Sequence, residues 1–166
     1  MKLLTEEIIK NFEKVGRQED SKDPLVIVKF FNPMGAGTWY ATEMYYRVLP
    51  KEGDEEDINV KDYKPKPGDE VTETIFFGYV SIFGDWNDEW GYFSLSELEE
   101  FHGLGGLGIE RDLYPHLPRS MSEMCPKAVE GFKEKDPEPY PASDPCGGSG
   151  NEHKARTYDQ SFLKED

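Results

Sequence analysis

The stretch LVIVKFFNPMGAGTWYATEMYYRVL, residues 25–49, decides the fold because it predicts two strands joined by a turn. Residues 25–31 form a continuous apolar run, rich in β-branched side chains and too short for a typical helix, which predicts a buried strand. Residues 32–37 have the composition of a turn. Residues 38–49 predict a second strand. Because no helix separates this strand from its neighbours, the pattern favours antiparallel pairing over parallel βαβ winding.

Strict alternation along the second strand predicts which side chains share a face. One face carries Trp39, Ala41, Glu43, Tyr45 and Arg47, and the other carries Tyr40, Thr42, Met44, Tyr46 and Val48.

Three further strands are predicted downstream. Residues 71–83 are strongly apolar and contain Gly78, which indicates a bulge or a point of close packing. After a turn at residues 84–89, residues 90–93 predict a short fourth strand, and residues 107–114 predict the last one.

Two helices are indicated by their capping residues. Thr5 is a good N-cap for the first, which Gly16 ends, and Phe12 lies on its apolar face. Ser94 and Glu97 form a capping box for the second helix, whose apolar side chains are expected to lie across the sheet. Those side chains are Leu95, Leu98 and Phe101.

The predicted fold class is α+β: a mainly antiparallel sheet of four to five strands with two packed helices and an extended C-terminal tail. We assign residues 1–114 to the core domain, with an acidic insert at residues 50–70 that reads as a long exposed loop. Residues 115–166 form a Pro/Gly-rich extension with one short helix expected at 126–135. Beyond about residue 140 we expect weak order.

Composition excludes several classes of protein. The 34 acidic and 19 basic residues give a formal net charge of −15, so direct nucleic-acid binding is not expected. Aromatic residues make up 13% of the chain, which indicates a packed core rather than an acidic disordered chain. The sequence has no apolar run of membrane-spanning length and no signal-peptide pattern, so we expect no membrane association and a cytoplasmic location.

Five blocks in register carry a resemblance to a known family. They are Leu3-Leu-Thr5, the run from Val28 to Glu43, Phe77 to Phe83, Glu89 to Leu98, and Gly108 to Tyr114. Together they resemble the bacterial and phage domain of unknown function 2958 family over about residues 3–114. The resemblance implies an accessory protein of plasmids, integrative elements or phages, and it implies no reaction. The insert at residues 50–70 and the extension after residue 114 depart from the family pattern.

The candidate interaction residues come from the strongest family block, from the acidic insert and from two later blocks. They are Thr38, Trp39, Glu43, Asp54, Glu55, Glu56, Asp57, Trp90 and Arg111. For Arg111, an ion pair within the domain is the favoured interpretation.

A carboxylate cluster supports a second hypothesis. Glu110 and Asp112 alternate on a strand and therefore share a face. Asp85, Asp88 and Glu89 would join them if the fourth and fifth strands were neighbours. Oxygen ligands of this kind suit Mg²⁺, Mn²⁺ or Ca²⁺, and would support a metal-assisted hydrolase or nucleotide-processing enzyme. A solvated acidic face is the simpler interpretation of the same residues.

The leading hypothesis is a non-enzymatic, acidic interaction protein of a mobile element, with no cofactor and with counter-defence as its setting. Its expected partner is a host or element-encoded protein with a basic surface, because carboxylates and aromatic side chains complement such a surface. The rival interpretation is that the net charge serves solubility only.

Overall fold

The computed structural model describes residues 1–83, 87–113 and 117–130. The strands are β1 (Leu25–Val26), β2 (Val28–Phe31), β3 (Thr38–Leu49), β4 (Glu56–Asn59), β5 (Glu70–Ser81), β6 (Glu89–Ser94), β7 (Glu110–Arg111) and β8 (Arg119–Ser120). The α-helices are α1 (Glu6–Val15), α2 (Leu95–Glu100) and α3 (Met121–Met124), and short 3-10 helices span Leu104–Gly106 and Pro126–Val129.

Within the described residues, one six-stranded antiparallel sheet dominates the fold. Its order is β6-β5-β3-β2-β7, and β4 pairs with the far end of β3, beyond the stretch that pairs with β2. A separate two-stranded sheet joins β1 to β8. The α+β class and the mainly antiparallel sheet are therefore confirmed. In the main sheet, the strand beyond the expected number is β4, which lies in the acidic insert that was expected to be a long exposed loop, and β8 of the small sheet was not predicted either.

Helices α1 and α2 pack on one side of the main sheet, which we call the inner face. The Thr5 side chain accepts a hydrogen bond from the Ile8 amide at the start of α1, as the N-cap prediction requires. Phe12 of α1 is buried against Phe76 of β5, with ring centroids 5.8 Å apart. Leu98 of α2 lies in the same core. Burial of these side chains holds both helices on the sheet.

A β-bulge in β3 overturns the predicted alternation of side chains. Ala41 pairs with Gly78 and Glu43 pairs with Phe77, so Thr42 is an extra residue without a cross-strand partner. Such a residue reverses the alternation beyond it. Trp39 and Ala41 face the helices, but Met44 and Tyr46 join them there. The prediction that Trp39 and Ala41 share a face with Glu43, Tyr45 and Arg47 is therefore wrong.

The bulge also explains Gly78, which the sequence indicated as a bulge or a close approach. A Cβ atom at this position would lie 1.8 Å from the Tyr40 carbonyl oxygen, which belongs to the backbone of β3. Only glycine allows the two strands to approach this closely, so this prediction is confirmed.

Side chains on the opposite side of the sheet form what we call the outer face. The outer face consists of Tyr40, Glu43, Tyr45 and Arg47 on β3, Glu73, Ile75, Phe77 and Tyr79 on β5, and Trp90, Tyr92 and Ser94 on β6. Residues 117–130 cover one half of it, where Met121 and Val129 pack with Tyr79 in a second core. Although we assigned these residues to the extension, they pack directly on the sheet.

Three local predictions differ from the structure. Residues 25–31 form two strands rather than one, because the chain leaves the small sheet at β1 and enters the main sheet at β2. The last predicted strand, residues 107–114, is reduced to the two residues of β7. Within the helix predicted at residues 126–135, the described part is a 3-10 helix at Pro126–Val129. The remainder of that helix and the expected weak order beyond residue 140 lie outside the described residues.

Candidate functional site

An open groove of about 680 Å³ lies on the half of the outer face that residues 117–130 leave uncovered. Strands β3, β5 and β6 form it together with the start of α2 and the linker after α1. Its charged side chains are the carboxylates of Glu19, Asp57, Glu73 and Glu97 and the guanidinium groups of Arg17 and Arg47. Acidic groups therefore outnumber basic ones in the groove, as they do in the whole chain.

Arg47 occupies the centre of a charged row that crosses three strands. It pairs with Asp57 on β4 and with Glu73 on β5. Its Nε and Nη2 atoms donate to the two carboxylate oxygens of Asp57 at 2.8 and 3.1 Å. These hydrogen bonds raise the pKa of Arg47. Because both partners are well exposed, this bidentate pair orients the side chains more than it stabilises the fold.

Glu73 is held in place by the N-terminal turn of α2. The Ser96 hydroxyl donates to one of its carboxylate oxygens, and the Thr74 amide donates to the other at 3.0 Å. These bonds fix the direction in which the Glu73 carboxylate faces the groove.

A buried carboxylate lies beside the groove, at the β-bulge. Glu43 is 4% exposed and accepts hydrogen bonds from the Tyr45 hydroxyl and from the Gln18 amide, the latter at 3.0 Å. Burial raises the pKa of Glu43 above its usual value of 4.5, while the hydrogen bonds from Tyr45 and Gln18 act against this. Burial, together with the neighbouring Glu43, also raises the pKa of Tyr45.

Gln18 ties the linker after α1 to this bulge. Its side-chain amide donates to the Thr42 carbonyl at 2.7 Å and the Leu25 carbonyl at 2.9 Å, and its oxygen accepts from the Leu25 amide at 2.7 Å. The Thr42 carbonyl lies between the part of β3 that pairs with β2 and the part that pairs with β4. Gln18 therefore satisfies backbone groups that neither strand reaches.

The same linker places Arg17 over an aromatic ring. The guanidinium carbon of Arg17 lies 5.9 Å from the centroid of the Tyr45 ring, within the range of a cation–π contact. Tyr45 also meets Tyr92 edge-on at 6.4 Å, and Tyr92 meets Phe77 at 4.9 Å. Tyr92 is 70% exposed. An aromatic strip thus runs from the floor of the groove to the surface.

The predicted interaction residues in the family block lie within the fold. Thr38 pairs with both Phe31 and Ser81 in the middle of the sheet, and Trp39 packs half-buried against the inner core. Glu43 is buried at the bulge. The role of these residues in partner binding stays a prediction, and their contacts in the fold are sufficient to account for them.

Trp90 and Arg111 make internal contacts as well. The Trp90 indole nitrogen donates to the Ala128 carbonyl at 3.0 Å and so fastens the segment that covers the outer face. Arg111 donates to the Lys2 carbonyl and thereby ties the N-terminus to β7.

The acidic residues of the insert separate into two kinds. Asp57 pairs with Arg47, and Glu55 accepts a hydrogen bond from the Thr72 hydroxyl at 2.9 Å. Asp54 and Glu56 are exposed, and neither side chain has a hydrogen bond or ion pair with another described residue. Of the four predicted residues Asp54, Glu55, Glu56 and Asp57, Asp54 and Glu56 are therefore the two whose carboxylates are left to solvent.

The carboxylates of the metal hypothesis do not converge. Asp88 and Glu89 lie at β6, whereas Glu110 and Asp112 lie at β7, and these strands are at opposite ends of the sheet. Four strand spacings separate them, about 19 Å. In the part of the chain that the structure describes, no three His, Cys, Asp or Glu side chains are grouped as metal ligands. Asp85 lies outside that part.

Local interactions account for two of these carboxylates. Asp88 accepts hydrogen bonds from the Ser81 hydroxyl at 2.7 Å and the Lys127 ammonium at 3.1 Å. Burial would raise the pKa of Asp88, but these hydrogen bonds outweigh it and lower the pKa. Asp112 lies 3.6 Å from the Lys29 ammonium. Both carboxylates thus stabilise local structure.

Sequence reasoning missed the residues that shape the groove, above all Glu73, Tyr92 and Glu97. The β-bulge is the reason, because it decides which side chains of β3 share the outer face with Glu73 of β5 and Tyr92 of β6. Gly78 was the available signal, because a glycine in a strand marks a close approach that often accompanies a bulge.

The fold and the groove together define a mainly antiparallel α+β protein with an acidic, aromatic groove on one face of its sheet. Residues 2–54 match the model of the family described as Protein of unknown function (DUF2958), which confirms the resemblance for that part of the chain. No curated protein and no solved structure matches the chain. None of the helices formed by the described residues is long and apolar enough to cross a membrane.

Proposed function

We propose that this chain acts in the cytoplasm as a non-enzymatic accessory protein of a mobile element, a phage or a plasmid, and binds a basic surface of a host or element-encoded protein. Counter-defence is the setting we propose for this interaction. The mobile-element part rests on the family resemblance, and the binding part rests on the outer face.

The observation that carries the proposal is the groove itself. It combines an exposed tyrosine with carboxylates that outnumber the guanidinium groups, and Glu73 is already oriented by Ser96. Aromatic side chains dominate the energetics of protein interfaces, and complementary charge steers a partner toward them. A surface that served only solubility would not need an oriented carboxylate next to an exposed ring.

The acidic insert extends this surface. Strand β4 pairs with β3 and so brings Asp57 into the groove, whereas Glu56, which pairs with Val48, lies on the other face of β4, and Asp54 lies in the preceding loop. A basic partner that fills the groove would therefore also face the insert, and the long-range attraction of both would raise the association rate.

The test is recovery of a partner by matched variants of the tagged protein. The first variant, Asp54→Asn/Glu56→Gln, removes two charges from the insert. The control, Glu13→Gln/Glu100→Gln, removes two exposed charges from α1 and α2, outside the groove. Each is used for affinity purification at about 50 mM and about 500 mM salt, followed by mass spectrometry.

We expect one protein with a basic surface to be recovered by the wild type and the control at low salt, and to be reduced by the insert variant and by high salt. Equal recovery by all three proteins at both salt concentrations would contradict the proposal. The net charge would then be a solubility feature.

A further inference from the structure

We infer that the groove binds an arginine-bearing extended segment of the partner, with the guanidinium group between the Tyr92 ring and the carboxylates of Glu73 and Glu97. This inference rests on the proposed function and specifies the chemistry that its binding surface recognises.

The groove already accommodates two guanidinium groups of its own chain. Arg17 lies over the Tyr45 ring at 5.9 Å, and Arg47 is held by both oxygens of Asp57. One arginine thus uses an aromatic face and the other uses a carboxylate fork, which are the two environments that suit a planar cation. The groove is therefore built from groups that bind guanidinium.

The same two environments recur on the β6–α2 side of the groove. Tyr92 supplies an aromatic ring, and its exposed fraction of 70% leaves most of that ring accessible to a partner. Glu73 and Glu97 supply carboxylates, the first oriented by Ser96 and the second exposed on the first turn of α2. Among the described residues, the side chains that line the groove contain no third arginine or lysine to meet them.

The shape and charge of the groove favour an extended peptide over a small cation. An open volume of about 680 Å³ is large enough for several residues, and its floor includes Ile75, which is 6% exposed. The aliphatic part of an arginine side chain can lie on such a floor while its charged end meets the carboxylates. The four carboxylates against two guanidinium groups leave an excess of negative charge for the partner to neutralise.

The experiment measures the Kd of a short arginine-rich peptide by calorimetry at about 50 mM salt. Two counterpart peptides carry citrulline or lysine in place of arginine. Citrulline keeps the shape of the side chain without its charge, and lysine keeps the charge without the planar fork. We expect the arginine peptide to bind, the lysine peptide to bind at least about threefold more weakly, and the citrulline peptide not to bind.

Matched variants locate the binding site. Glu97→Gln and Tyr92→Ala should each weaken binding of the arginine peptide about threefold to tenfold. Glu100→Gln removes the same charge from the same helix outside the groove, and Phe83→Ala removes an aromatic ring that is 73% exposed elsewhere. Neither control should change the Kd by more than about a factor of 1.5.

The outcomes separate this inference from the proposed function. Absence of binding by the arginine peptide, equal binding of the lysine peptide, or equal weakening by Glu97→Gln and Glu100→Gln would each overturn the inference. A salt-sensitive partner recovered in that case would still support the proposed function. Conversely, peptide binding in the groove without any recovered partner would contradict the proposed function alone.

Discussion

The two halves of the outer face have similar aromatic composition but different surroundings. In one half, residues 117–130 cover Tyr40, Tyr79 and Trp90, and Met121 and Val129 complete a second core. In the other half, Tyr45 and Tyr92 line an open groove with carboxylates around it, and Phe77 packs against Tyr92. Aromatic content alone therefore does not mark a binding surface, because another segment of the same chain can cover such an aromatic strip.

Polar contacts reinforce the difference between the halves. In the covered half, Trp90 donates to the Ala128 carbonyl, and burial beside Cys125 raises the pKa of Tyr40 to about 12. Its polar groups are thus directed at the covering segment. The carboxylates of Glu73 and Glu97 in the open half face solvent in the groove. The open half therefore keeps the carboxylates that line the groove accessible to a partner.

The largest loss of stability is expected at Gly78, because both halves of the outer face depend on the pairing of β3 and β5 at this position. Gly78→Ala would place a Cβ atom 1.8 Å from the Tyr40 carbonyl oxygen, and a backbone atom cannot move away cheaply. We expect the free energy of unfolding, measured by urea denaturation, to fall by about 3 kcal/mol or more. Gly91→Ala is the matched control, since no atom of the described residues lies within 4 Å of its Cβ position, and it should change stability by less than about 1 kcal/mol. Similar losses in both variants would contradict the close approach at the bulge.

The next largest effect is expected in the covered half. Met121 is fully buried, so Met121→Ala should leave a cavity and lower the free energy of unfolding by about 3 kcal/mol. Met34→Ala changes the same side chain at a site that is 51% exposed, and should cost less than about 0.5 kcal/mol. Limited proteolysis should also cleave within residues 117–130 faster in the Met121→Ala variant than in the wild type. An unchanged cleavage pattern and stability would show that this segment is not docked as described.

A smaller, pH-dependent effect is expected at the bulge beside the open half. Burial raises the pKa of Glu43 in the folded chain. At a pH between the pKa of the unfolded chain and the higher pKa of the folded chain, the folded state therefore keeps a proton on Glu43 that the unfolded state has lost. The stability of the wild type therefore falls as pH rises through that interval, from 4.5 upward. Glu43→Gln cannot titrate, so its free energy of unfolding relative to the wild type should rise over the same interval.

Denaturation from about pH 4 to about pH 8 measures this difference. Tyr45→Phe provides a second check, because the Tyr45 hydroxyl donates a hydrogen bond that lowers the pKa of Glu43. Its loss should extend the interval to higher pH. A difference between Glu43→Gln and the wild type that is constant across this range would contradict the raised pKa.

The smallest effect on stability is expected in the open half. Tyr92→Ala should change the free energy of unfolding by about 1 kcal/mol or less, because the ring is 70% exposed. Thermal denaturation measures this directly. A loss as large as that of Met121→Ala would show that Tyr92 serves the fold, and the open half would no longer differ from the covered half.

Periodicity and capping predicted most of the fold, because these signals are local. Thr5 and Ser94 marked the helix starts, and the apolar runs indicated β3 and β5 nearly in full. The strand β4 was missed because its residues, EDIN, are too polar to show a strand pattern. This segment forms a strand because its backbone pairs with β3, and not because of an apolar pattern.

The groove could not be predicted because it depends on non-local geometry. A single extra residue, Thr42, decides that Tyr45 and Arg47 lie on the same face as Tyr92. The distance between Asp88 and Glu89 at β6 and Glu110 and Asp112 at β7 depends on the order of the strands in the sheet. Alternation within one strand carries no information about that order. The docking of residues 117–130 was hidden by their proline content and weak periodicity, since only a few anchors such as Met121 hold them.

Hydrogen exchange of the protein, alone and saturated with the partner recovered in the affinity purification, tests the contrast between the two halves most directly. We expect binding to slow exchange in β4, in the paired segments of β3 and β5 at residues 43–47 and 73–77, and in residues 90–97. Exchange in residues 119–129 should stay the same. Protection confined to residues 119–129 or to α1, with exchange in the groove unchanged, would contradict the proposal that the open half of the outer face binds the partner.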